Sequence, residues 1–206
     1  MRWRLFPILL LSLSIGSAMV LLFEDFSSPD LAGKGWKDVS TNAASGSYRV
    51  VNRMLYFPQM LDNSAWLTNG KLGWGNVRIS MRVRTRFPDG FGLLVIAARC
   101  QMESSSSNAT YAGWALSGEG GLRSILISTQ NGQHSVIADN AVEKSQFIMD
   151  IWHDLVLDVR DGFMEVKIDG VKLQSGSGVL PSSGGLLIAN GFGAETWISD
   201  LKVETL

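Results

Sequence analysis

The 206-residue chain has one cysteine, two histidines and no marked excess of either charge. Cys100 stands alone, which excludes an internal disulfide or a thiolate metal cluster and leaves stability to a packed core. His134 and His153 belong to no metal-ligand spacing or nucleophile motif. The formal net charge is −1, and loss of a leader carrying Arg2 and Arg4 would make it two units more negative. That balance excludes nucleic acid as a partner held by bulk charge. Beyond the first two dozen residues, apolar positions show no helical spacing over a helical length, and no internal repeat is visible.

What is present starts with a basic Met-Arg-Trp-Arg opening, an apolar run over residues 5–15 and the small residues Gly16, Ser17 and Ala18. This order reads as a signal peptide over residues 1–18, with one domain over 19–206 and a secreted or extracytoplasmic location. Left uncleaved, residues 5–23 are long enough to cross a bilayer of ~30 Å, the alternative reading and the only route to a membrane. Cleavage is favoured because residues 21–26, Leu-Leu-Phe-Glu-Asp-Phe, read as a first strand.

Short runs of period-two alternation fill the rest. Val77, Ile79, Met81 and Val83 face one way, with Arg78, Ser80, Arg82 and Arg84 facing the other. Further strands are expected near 48–57, 63–68, 92–99, 110–117, 122–129, 133–138, 153–160, 163–168, 184–190 and 196–204, with 31–46 and 100–109 as loops. This density predicts an all-β, two-sheet sandwich. Asp161-Gly162 is a two-residue hairpin signal that sets a register: Arg160 faces Phe163, and Val159–Met164, Leu157–Val166 and Leu155–Ile168 become inward apolar pairs.

A Trp152-x-x-Leu155-x-Leu157-x-Val159 strand, a short turn and a strand ending in Asp169-Gly170 resemble the late hairpin of laminin G-like and other concanavalin A-like lectin/glucanase domains. The opening Phe23-Glu24-Asp25-Phe26 with Trp36, the 76–86 strand followed by Gly90-Phe91-Gly92-Leu93, and the closing Ile198-Ser199-Asp200-Leu201-Lys202-Val203 follow in the same order. The resemblance implies an antiparallel jelly-roll sandwich of the concanavalin A-like type, a fold that hosts lectins, adhesion modules and hydrolases. It also implies a structural calcium between the first and last strands, for which Glu24, Asp25 and Asp200 are the oxygen ligands; the competing reading is that Asp25 and Asp200 cap turns or pair with Lys202.

Sugar binding needs aromatic faces beside hydrogen-bonding groups. If Trp114 and Leu116 point to the core, Tyr111, Gly113 and Ala115 line the opposite face, and with Arg99 and Arg123 they are expected to form a shallow groove for an anionic or hydroxyl-rich ligand. The tryptophans Trp36, Trp66, Trp74, Trp152 and Trp197 read as core or loop plugs rather than platforms. Asn108-Ala109-Thr110 is an acceptor sequence for a glycan in a Ser-rich loop.

Glycoside hydrolysis would need two carboxyl groups roughly 5–9.5 Å apart. No Glu-x-Asp-x-Glu strand exists, but the hairpin register sets Asp158 opposite Glu165 on the outward face. Two opposed carboxylates repel, so basic side chains from among Lys167, Arg160 and the Arg78, Arg82 and Arg84 stripe are expected beside them, making the pair a solvated charge ladder rather than a catalytic site. The sequence therefore reads as a non-catalytic carbohydrate-binding or adhesion module whose partner is a carbohydrate or an extracellular protein. The alternatives are a glycan-processing hydrolase, loosely similar to 3-keto-disaccharide hydrolases or glucanases, and a structural extracellular interaction module.

Overall fold

The computed structural model describes residues 18–40, 47–61, 63–102 and 108–206. Residues 1–17, nearly all of the expected signal peptide, lie outside the described residues. Among the described residues, fifteen strands form two antiparallel sheets. The eight-stranded sheet holds β1 (Val20–Glu24), β3 (Arg49–Val51), β4 (Met54–Phe57), β6 (Val77–Arg86), β11 (His153–Arg160), β12 (Phe163–Ile168), β13 (Val171–Ser177) and β15 (Glu195–Thr205). Its order is β13-β12-β11-β6-β15-β4-β3, with β1 also on β15. The seven-stranded sheet holds β2 (Lys37–Asp38), β5 (Ser64–Trp74), β7 (Leu93–Cys100), β8 (Tyr111–Ser117), β9 (Arg123–Gln130), β10 (Gln133–Ala141) and β14 (Gly184–Gly191). It runs β10-β9-β8-β7-β14-β5-β2. The expected sandwich is thus the observed one, and the 3-10 turn Ala32–Lys34 precedes β2.

The alternation that predicts β6 places Val77, Ile79, Met81 and Val83 in the interior, packed with Leu155, Leu157 and Val166 against Leu94, Ile96, Trp114, Leu126 and Ile188 of the other sheet. Burial of this apolar set is the main force joining the sheets. The β11–β12 register is the expected one, Arg160 opposite Phe163 through Leu155 opposite Ile168. A polar thread crosses the core: Trp114 Nε1 donates to Ser124 Oγ at 2.8 Å, and Ser124 donates to Gln174 Oε1 of β13 at 2.5 Å.

Three expectations about strands change. The 48–57 run is two strands, because Asn52 and Arg53 turn with φ of 52° and 60°. The 31–46 loop contains the short β2. The β13 strand lies where none was expected: it is an edge strand whose fully buried side chain is the polar Gln174. Of the alternative membrane anchor over residues 5–23, Val20–Phe23 belong to β1, paired with β15, and residues 5–17 lie outside the described residues. No helix among the described residues is long and apolar enough to cross a membrane.

Candidate functional site

The outer face of the seven-stranded sheet is built in registered rows. One row runs Ser64, Gly191, Leu93, Ser117, Arg123, and the next runs Trp66, Ala189, Val95, Ala115, Ile125. Tyr111, Gly113 and Ala115 do lie on this face, with Trp114 and Leu116 in the core. The face is not the open groove expected, however. Tyr111, Val95, Ala97, Ala115, Leu187 and Ala189 form a second buried apolar cluster, which Val39, Met102 and Ala109 join from the flanking loops. Tyr111 is buried with its ring edge-on to Trp66 at 6.3 Å, and burial raises its phenol pKa.

Arg99 and Arg123 do not join Tyr111. A bulge between Gly185 and Leu187, with Arg99 itself at φ 55°, reverses the alternation at the end of β7. Arg99 is therefore buried and turned to the end of the sandwich. It donates to the carbonyls of Gly75 (3.1 Å), Asp161 (3.0 Å) and Pro181 (2.7 Å) and to Asn76 Oδ1 (2.8 Å), which makes it a clamp of three loops. Arg123 stays on the outer face, paired with Asp139 at 2.8 Å. It lies six residues along β9 from the partner of Tyr111, about 20 Å away at ~3.3 Å per residue.

The expected calcium ligands do not converge. Glu24 is buried and accepts from Lys34 Nζ at 2.6 Å and from Phe26 N at 2.8 Å. Asp25 bonds Ser27 N at 3.0 Å and Arg53 at 2.7 Å, and these bonds, that of Ser27 foremost, pull its pKa down to about 2. Asp200 is exposed in the β15 bulge and accepts from Ser199 Oγ. Two ammonium or guanidinium groups thus occupy the positions a cation would take, and no set of three or more His, Cys, Asp or Glu with metal-holding geometry exists among the described residues. The turn-capping reading of Asp25 is the observed one, but its basic partner is Arg53; Lys202 pairs with Glu204.

The acid pair exists in the expected register, Asp158 opposite Glu165, and its cations are present. Arg78 clasps Asp158 with two 2.7 Å bonds, Arg160 adds one at 3.0 Å, and Lys167 lies 3.0 Å from Glu165. Asp158 is 2% exposed rather than solvated, enclosed in its ion pairs with Arg78 and Arg160. Burial alone would raise its pKa; the Arg78 and Arg160 bonds outweigh burial and hold it below the usual range. A general acid needs the opposite shift. His153 is buried with Nδ1 2.7 Å from Asp169 Oδ2 and Nε2 2.9 Å from Ile148 O, so neither ring nitrogen is free to act as a base.

A cleft that sequence reasoning missed opens at the edge where β1, β2 and β5 meet. Between Asn69 and Trp74 strand β5 bulges, and the indole of Trp74 folds back over Gly70, where any Cβ would overlap the ring. The resulting cavity, about 480 Å³, is lined by Val20, Leu21, Leu22, Asn69 and Trp74. A neighbouring recess of about 120 Å³ shares Gly35, Asn69 and Gly70 with it and is also lined by Lys37 and Thr68. The lining offers an aromatic surface, an amide, a hydroxyl and an ammonium group, and the described lining side chains include no carboxylate. The only sequence signal was Trp74 beside glycines, which equally fits a loop plug. Asn108, the acceptor-sequence asparagine, is exposed.

This architecture is the concanavalin A-like jelly roll. The chain superposes on the carbohydrate-binding module CBM66 from Bacillus subtilis (TM-score 0.59, 12% identity, covering 83% of this chain and 96% of that one). It also superposes on the VIP36 exoplasmic/lumenal domain in its Ca2+/Man3GlcNAc-bound form (0.63, 13%, 84% and 84%) and on endo-beta-1,3-glucanase from Pyrococcus furiosus (0.65, 11%, 91% and 94%). No protein-family model matches the chain, and no curated protein matches it in sequence.

Proposed function

We propose that the protein is a secreted, non-catalytic carbohydrate-binding domain whose primary site is the Trp74 cleft. The observation that carries this reading is the lining itself: an indole, the Asn69 amide, the Thr68 hydroxyl and the Lys37 ammonium beside an apolar wall, without a described carboxyl group. Those groups supply ring stacking and hydroxyl recognition, and they lack the acid pair that glycoside hydrolysis requires. A carbohydrate-binding module and a glycan-bound lumenal domain among the structural neighbours support the same class of ligand. Cleavage before Met19 is supported by the bonds Met19 N to Thr205 Oγ1 (2.9 Å) and Thr205 N to Met19 O (2.9 Å), which place Met19 within the folded domain. The exposed Asn108 would accept a glycan in a eukaryotic secretory route.

The test is a glycan array probed with residues 19–206, followed by product analysis of every hit. Saturable binding, lost in Trp74→Ala and Asn69→Ala without turnover, is the expected result. Turnover of a bound glycan would make the domain a hydrolase, and a blank array would leave it an interaction module for extracellular protein.

A further inference from the structure

At the far end of β5 and β14 from the cleft, three loops present large apolar side chains to solvent: Leu61 (63% exposed), Phe91 (58%) and Phe192 (54%). The β14–β15 connection, residues 192–194, turns at Phe192-Gly193, closed by Ala194 N to Gly191 O at 3.1 Å. Its φ values of 52° and 92° describe a turn that favours Asn, Asp or Gly at the first position. A bulky phenylalanine there is a backbone outlier. It serves no core, since most of its ring is in solvent.

The loops are also locked together. Phe192 N donates to Asn63 O at 3.3 Å and Gly193 N to Met60 O at 2.8 Å. A Cβ on Gly193 would lie 2.8 Å from Phe91 O and 3.9 Å from Leu61 Cδ2, so only glycine permits this approach. Gln59 Nε2 donates to Asp89 Oδ2 at 2.6 Å, tying the first loop to the second. The backbones that carry the apolar side chains are thus tied together before any ligand arrives, beside an amide–carboxylate pair able to bond hydroxyls.

We propose that Phe91, Phe192 and Leu61 form a second carbohydrate contact, a preformed platform for the apolar face of a sugar ring, distinct from the Trp74 cleft. This rests on the carbohydrate-binding reading above. The patch offers only about 100 Å² per half-exposed aromatic, against the ~800 Å² per partner of a stable protein interface, which disfavours a second copy. Asp89 and Glu119 on the same rim would repel an anionic lipid surface. From Gly184 to Gly191 the two ends of β14 are separated by about 23 Å at ~3.3 Å per residue, so a glycan chain must extend across the sheet to meet both sites.

The decisive variant is Phe192→Asn, which puts a favoured residue into the turn and is expected to raise Tm. Titration calorimetry with the best glycan from the array should show at least a tenfold weaker Kd for Phe192→Asn, and a similar loss for Phe91→Ser. A raised Tm with unchanged Kd would overturn the platform while leaving the cleft intact, with Trp74→Ala as its separate control. A wild-type protein that binds no glycan would overturn both proposals.

Discussion

Arg78 and Asp158 face each other across β6 and β11 with two parallel 2.7 Å bonds, a guanidinium fork closing on a carboxylate that is itself buried. Such a pair is costly to break from one side, because the charge left behind has lost water as well as its partner. Arg78→Ala is expected to destabilise the domain by about 3 kcal/mol in chemical denaturation. Asp158 has a folded pKa below its unfolded value, so its contribution is present above the unfolded pKa of about 3.9 and is lost as pH falls through the folded one. In Arg78→Ala burial acts against less opposition, so the acid limb of the stability profile should move to higher pH. An unshifted acid limb would count against this account.

The Trp114–Ser124–Gln174 thread gives an asymmetric pair of variants. Ser124→Ala strips a buried indole N–H of its acceptor and should cost about 1–3 kcal/mol. Gln174→Leu takes the acceptor from the Ser124 hydroxyl but also removes an amide whose Nε2 has no partner among the described residues, and Ser124 still accepts from Trp114. Its cost should be clearly smaller. Urea unfolding of both variants decides the order, and equal losses would contradict it.

Calcium and chelator should leave Tm unchanged, since Lys34 and Arg53 already neutralise Glu24 and Asp25. Lys34→Ala should lower Tm by uncovering a buried carboxylate. A calcium-dependent rise in the wild-type Tm, read by scanning fluorimetry, would show that those carboxylates exchange their partners for an ion.

Arg99→Met should destabilise strongly, by about 3 kcal/mol or more, because three carbonyls and the Asn76 amide oxygen lose their donor together. Glycan affinity of the folded fraction should stay at the wild-type level. A selective loss of binding would return Arg99 to the ligand site.

Much of the sandwich was legible because its strands obey local rules. The β11–β12 register follows from one Asp-Gly turn and an uninterrupted apolar alternation, and even the cations around Asp158 follow from like-charge repulsion. What was hidden lies at irregular backbone. Arg99 follows alternating residues in β7, yet a bulge turns it away from them. Trp74 reads as a plug until the excursion over residues 70–73 opens a cleft beneath it. Asn190-Gly191 carries the commoner turn signal, but the chain turns two residues later; Asn190 is buried, donating to Ala194 O at 2.9 Å and accepting from Thr196 Oγ1 at 2.6 Å. The second apolar cluster was hidden for a different reason: small residues such as Ala97, Gly113 and Ala115 do not declare whether they line a groove or a sealed floor.

The order of strands has a consequence for how the molecule is completed. The last two strands lie inside the sheets: β14 separates β7 from β5, and β15 separates β6 from β4 and β1. β14 and β15 lie in opposite sheets, and until both are in place each sheet consists of halves whose described strands are not paired with each other, so a chain delivered amino end first stays open until β15 emerges. These late, distant pairings make folding slow and tie it to the arrival of two consecutive strands. The turn that joins those two strands, crossing from one sheet to the other, is Phe192-Gly193, so the element that closes the fold also displays the ring proposed to meet the ligand.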